Sequence, residues 1–141
     1  MHIDGGCHCG KIAYEAEVDP EMVSICHCTD CQVLSGTAFR TTVRARAESF
    51  KMLKGEPRIY IKTAESGTRR AHAFCGECGT PIYATSVIDQ QIFGLRLGTV
   101  RQRAQLRPKQ QIWCRSMLGW TVDLGVLPKS DKSGGDQSRR A

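Results

Sequence analysis

Eight cysteines in a chain of 141 residues constrain the fold more than any other feature, because seven of them fall into three tight groups. The first is Cys7-His8-Cys9, the second Cys26-His27-Cys28-Thr29-Asp30-Cys31 and the third Cys75-Gly76-Glu77-Cys78-Gly79; Cys114 stands alone. Thiols spaced in this way either bridge as disulfides or hold a metal. The residues from Met1 to Gly6 carry neither the basic nor the apolar region of a secretory signal. No apolar run approaches the ~20 residues of a membrane span. Both features predict a cytoplasmic location, where disulfides are rare and clustered cysteines serve as metal ligands or catalysts.

Ligand counting then divides the cysteines. Cys75 and Cys78 are three apart, and Gly76 and Gly79 give the backbone freedom for a tight turn between them. Such a knuckle supplies two ligands, whereas a structural zinc takes four. Cys7 and Cys9 are the natural second pair, since residues two apart in an extended strand point to the same face, which also turns His8 away. Cys7, Cys9, Cys75 and Cys78 are therefore expected around one closed Zn²⁺. Such a site can contribute roughly 10–16 kcal/mol of apparent folding free energy.

Cys26, Cys28 and Cys31 remain, and three protein ligands with one open position is the pattern of a catalytic zinc. Two Zn²⁺ per chain are expected on this count. A fourth protein ligand from Cys114, His72 or His27 would instead make the second site structural. Alternation argues against His27, Cys114 is expected as a small buried hydrophobe, and His72 as a surface or core histidine. His2 reads as a terminal residue.

The remainder reads mainly as short strands. Ile12, Tyr14, Ala16 and Val18 alternate with Lys11, Ala13, Glu15 and Glu17; Phe39, Thr41, Val43 and Ala45 alternate with Arg40, Thr42, Arg44 and Arg46. Period two is the mark of a half-buried antiparallel strand. Further strands are predicted at 58–62, 71–74, 81–85, 92–97 and 110–114, punctuated by Gly55, Pro57, Gly67, Gly79, Gly98 and Pro108. One short helix is predicted over 30–35, with Thr29 and Gln32 as a capping box and Gly36 as its C′ residue. Cys31 would lie in its first turn, where the helix N-terminus favours a thiolate. Ile112, Trp113, Leu118 and Trp120 are expected to pack the core. Residues 129–141 hold no large apolar side chain and read as a disordered polar tail, which leaves one domain over 1–128.

The net charge of +6 includes +2 from that tail. Seven thiolates carrying two Zn²⁺ would remove about three more positive charges, so a pI near 9.0 is a weak argument for a nucleic-acid partner. Arg40, Arg44 and Arg46 would share one strand face, and Arg96, Arg101, Arg103, Arg107 and Lys109 form a second basic cluster. A solvated face is the favoured reading of both; a grip on substrate carboxylates is the functional one. Aromatic residues do not interleave with these charges, so no base-stacking surface is apparent.

The motifs also resemble a known family. Gly6 to Glu15 is similar to the opening motif of the glutathione-dependent formaldehyde-activating enzymes, which include centromere protein V. Cys26 to Gly36 resembles their second motif, Phe74 to Tyr83 their third and Gln111 to Trp120, more softly, their closing segment. The resemblance spans about 3–128 in the same order. It implies a mainly β, β-tent fold of small antiparallel sheets around a structural zinc held by Cys7, Cys9, Cys75 and Cys78. It implies a catalytic zinc on Cys26, Cys28 and Cys31, and the formation of S-(hydroxymethyl)glutathione from glutathione and formaldehyde, a carbon–sulfur lyase activity. The expected partners are therefore a small thiol such as glutathione and an aldehyde, without membrane. The alternative is a non-catalytic zinc module for protein or nucleic acid; a thiol redox or metal-buffer protein is a third reading.

Overall fold

A computed structural model describes residues 1–133 of the chain. It contains nine strands and one short α-helix in the order β1 (His2–Gly6), β2 (Ala13–Cys26), α1 (Thr29–Ser35), β3 (Arg40–Arg46), β4 (Lys51–Lys54), β5 (Arg58–Thr63), β6 (Arg69–Phe74), β7 (Pro81–Ser86), β8 (Ile92–Arg96) and β9 (Gln110–Ile112). The main path of neighbours is β1-β2-β3-β8-β7-β6-β5, with β4 and β9 also on β2. All pairings are antiparallel except β2 with β9. The expected mainly β architecture with one short helix is the one observed.

β2 organises the molecule. Its first half pairs with β1 and β4, and its second half with β3 and β9. The exchange of partners falls where the register with β3 slips between Val18 and Val23. Pro20 lies in that slip, where its missing N–H costs no ladder bond. The inward face follows the predicted alternation: Ile12, Tyr14, Ala16 and Val18 are all buried, and Ile3, Val43, Ala45, Ile82, Leu95 and Val100 complete the core. An aromatic group closes one side, with Phe50 stacked on Phe93 at 4.8 Å and edge-on to Tyr83 at 5.4 Å. Such pairs add roughly 0.5–1.5 kcal/mol beyond their buried area.

Several expectations are corrected. β1 and β4 carry no clear alternation and were not foreseen. In β1, Gly5 is required because a Cβ there would meet the Thr99 carbonyl oxygen at 2.2 Å. Ile112, Trp113, Leu118 and Trp120 do not pack the core but are exposed. The branched aliphatics and the Phe50–Tyr83–Phe93 group already fill it. The residues after β9 run instead as short 3-10 turns, with Trp113 in the left-handed region at φ 57° and the Arg115 guanidinium over its ring. Cys114, expected to be buried, is exposed as well. Of the tail, residues 129–133 are exposed, and 134–141 lie outside the described residues.

Candidate metal centres

Two turns build the first centre. Cys7 and Cys9 occupy the turn between β1 and β2, not a strand as expected. The Cys7 N–H donates to the Ile12 carbonyl at 3.1 Å, the Gly10 N–H to Cys7 at 3.2 Å, and Gly10 takes φ 81°. Cys75 and Cys78 occupy the turn between β6 and β7, where the Gly79 N–H donates to the Cys75 carbonyl at 2.8 Å and Gly79 takes φ 79°. The pairing predicted from the sequence is reached by a different local geometry: each pair is followed by a left-handed glycine that reverses the chain. The four sulfurs lie within 4.8 Å of one another, with Cys7 and Cys9 3.6 Å apart and Cys9 and Cys75 3.7 Å apart.

Polar groups favour thiolate at Cys7 and Cys78, whereas at Cys9 the Lys11 backbone bond is outweighed by burial and proton sharing with the neighbouring sulfurs, which push the thiol up to about 11. The Ile12 N–H points at Cys7 Sγ from 3.2 Å, and the Thr80 hydroxyl lies 3.2 Å from Cys78 Sγ. Bonds from the Thr80 hydroxyl and backbone N–H bring the Cys78 thiol down to about 5. Thr80 Oγ1 also accepts from the His8 N–H at 3.2 Å and so joins the two turns. Its role was not foreseen; the only signal was its place directly after the knuckle glycine. His8 is not part of the cluster.

The second centre gathers Cys26 at the end of β2, Cys28 at the N-cap of α1 and Cys31 in its first turn, again with all sulfurs within 4.8 Å. The cap is Cys28 rather than the expected Thr29: its sulfur accepts from the Cys31 N–H at 3.3 Å. A side chain that caps the helix is thereby fixed beside the other two. Gly36 ends α1 in the left-handed conformation at φ 70°, as predicted. Gln32 serves the loop instead of a capping box, donating to the carbonyls of His27 at 2.9 Å and Ser116 at 3.0 Å. Sharing of a proton between Cys31 and Cys26 raises the first thiol and lowers the second.

None of the three suggested fourth ligands joins this cluster. His27 is buried, with Nε2 2.7 Å from the Gln111 side-chain oxygen and its ring edge-on to Phe39. Cys114 is exposed, and none of the eight cysteines is in a disulfide. His72 Nδ1 accepts from Arg96 at 3.2 Å. Burial, then the positive charges of Arg96, Arg40, Lys62 and Arg70, lowers its pKa to about 4. Both clusters have the thiolate donor set and the close spacing that a soft divalent metal takes.

Arg40 overturns the reading of β3 as a solvated basic face. Arg44 and Arg46 are exposed, but Arg40 retains 5% exposure. The cause is topological: Arg40 opens β3 directly opposite Cys26 on the β2–β3 ladder, beside the three sulfurs and Arg96. Burial lowers the Arg40 pKa, and the charges of Cys31, Cys28 and Cys26 oppose that shift. On β8, Arg96 is also largely withdrawn from water and brought down to about 9 by burial and by Arg40. It donates to Thr42 Oγ1 at 3.3 Å and to His72. Arg101, by contrast, pairs with Asp4 at the surface. Arg40 and Arg96 both line a groove of about 1000 Å³ and a smaller cavity of about 310 Å³.

The fold has solved counterparts. A crystal structure of a Rhodobacter sphaeroides protein, determined as a structural genomics target, superposes with a TM-score of 0.59 at 18% identity, covering 77% of this chain and 98% of that one. Residues 2–116 match the sequence family described as Glutathione-dependent formaldehyde-activating enzyme. That match takes in β1 through β9 and all seven clustered cysteines, and the chain belongs to the glutathione-dependent formaldehyde-activating enzyme family.

Proposed function

We propose that this protein is a zinc-dependent carbon–sulfur lyase that makes or breaks the bond between a small thiol and a carbonyl carbon. The observation that carries the reading is the contrast between the two centres. One gathers four cysteines; the other gathers Cys26, Cys28 and Cys31, and among the described residues no further histidine, cysteine or carboxylate joins them. A four-thiolate site is closed, whereas three thiolates leave a place for substrate. Family membership supports glutathione and formaldehyde as the substrate pair.

Zinc on Cys26, Cys28 and Cys31 would accept the substrate thiol in deprotonated form at neutral pH. The chain's own residues do the rest. Cys28 is fixed by its cap bond and Cys26 by the β2–β3 ladder, so the site is preorganised. Arg40 offsets the negative charge of the three sulfurs from a buried position. In the forward sense the thiol sulfur bonds to the formaldehyde carbon, the carbonyl π-pair becomes the hydroxyl oxygen's, and the thiol proton ends on that oxygen. Holding the partners together supplies proximity.

Exchange NMR on a glutathione–formaldehyde mixture tests this. Wild-type protein is expected to speed adduct exchange above its spontaneous rate, and Cys31→Ser is expected to remove the acceleration while remaining folded. Equal exchange with and without the wild-type protein would sink the formaldehyde activity.

A further inference from the structure

Arg40, which is buried, and Arg96, which is half-buried, keep donors that neither the metal centres nor the fold satisfies. Arg40 Nη1 and Arg96 Nε are buried and have no hydrogen-bond partner. No carboxylate forms an ion pair with either side chain among the described residues. Nearby Lys62 is already paired with Asp30 at 2.9 Å. The three sulfurs supply negative charge near Arg40 but no hydrogen bond to it, and a buried donor left without a hydrogen bond is costly unless a ligand completes it.

Both arginines line the 310 Å³ cavity, together with His72, Tyr60, Tyr83 and Pro81. Its size is at the lower end for small-molecule sites, ~300–1,000 Å³. Its walls are largely apolar, and its charged groups are all positive or, at His72, neutral at pH 7. Thr42 and His72 hold Arg96 by its two terminal nitrogens, which leaves Nε free, while Arg40 offers Nη1. Each guanidinium thus keeps at least one buried donor without a partner, and the planar guanidinium fork pairs bidentately with the two oxygens of a carboxylate.

We propose that Arg40 and Arg96 form a carboxylate receptor beside the three-cysteine centre, and that the preferred substrates are thiols bearing a carboxylate. The second half rests on the lyase reading above; the receptor itself does not. Arg96 is a binding residue for the substrate's acid group and Arg40 joins it from β3. His72 is a positioning residue that holds the Arg96 fork.

Calorimetric titration of the zinc-loaded protein tests the proposal with four probes: 3-mercaptopropionate, its methyl ester, propionate and inorganic phosphate. The free acid is expected to bind at least about tenfold more tightly than the ester, in line with charge-assisted pairing. Arg96→Gln is expected to bring that ratio to about one without loss of zinc, and Arg96→Lys, which keeps charge but not the fork, to leave it in between. Equal affinity of acid and ester for the wild type overturns the receptor, and that arm needs no variant. So does an Arg96→Gln change that weakens both alike. Phosphate binding more tightly than propionate replaces the carboxylate with a phosphate. If propionate binds but the thiol adds nothing to it, the receptor stands and the thiol reading fails.

Discussion

At the scale of single residues, the site depends on side chains that satisfy or withhold hydrogen bonds at sulfur and guanidinium. Tyr14 illustrates the reach of one such bond. It is fully buried in β2, its hydroxyl meets Thr99 Oγ1 at 2.7 Å, and Thr99 in turn donates to the Arg96 carbonyl at 2.8 Å. Tyr14→Phe is expected to cost about 1 kcal/mol, measured as a shift in chemical denaturation. His72 gives a pH signature. Its folded pKa of about 4 lies below its ordinary 6.5, so the unfolded chain binds the proton first. Its contribution is complete above pH 6.5 and is lost as pH falls from there toward 4. His72→Gln, which can still accept from Arg96, is expected to flatten the stability loss in that window; identical acid profiles for the two proteins would refute it.

At the scale of elements, the sequence was readable where one face alone is buried. The alternation around Tyr14 and Val43 marks β2 and β3 because the opposite face meets water, and Gly36 marks the end of α1 because only a left-handed residue fits there. The cysteine partition was readable for a different reason: the coordination number of zinc sets the ligand count whatever the backbone does, so four and three emerged even though Cys7 and Cys9 lie in a turn. Arg40 was misread because local alternation does not report that the β2–β3 register sets it opposite Cys26, beside the three sulfurs. β1 was missed because its glycines answer to tertiary contacts, Gly5 to the distant Thr99 carbonyl and Gly6 to the Ile12 carbonyl. Gly5→Ala, with its 2.2 Å clash against backbone, is therefore expected to destabilise by about 2 kcal/mol or more. Gly119→Ala, where a Cβ meets nothing within 4 Å, is expected to be close to neutral in the same thermal melt.

At the scale of the whole molecule, the proposed function gives the two centres different work. The four-cysteine centre joins the β1–β2 turn to the β6–β7 turn, with Cys9 and Cys75 separated by 66 positions in the chain. Cys78→Ser is expected to cost about 5 kcal/mol or more of the ~10–16 kcal/mol such a site can supply, enough to unfold a domain of ordinary stability, about 5–15 kcal/mol. A folded and fully loaded Cys78→Ser protein would refute the structural assignment. The three-cysteine centre spans only Cys26 to Cys31, so it closes a short loop and contributes less to the fold. Cys31→Ser is expected to cost under about 2 kcal/mol by thermal melting, within the usual range of single substitutions. Unfolding of that variant would make the second centre structural as well.

The claim that the second centre keeps a place open for a substrate thiol is tested most directly by cobalt substitution. The absorption of sulfur-to-cobalt charge transfer counts thiolates bound to the metal. Protein loaded with two cobalt ions is expected to show seven, matching the two clusters, and to rise to eight on addition of glutathione. Eight thiolates before glutathione is added, or no change on its addition, would contradict an open thiol-binding centre.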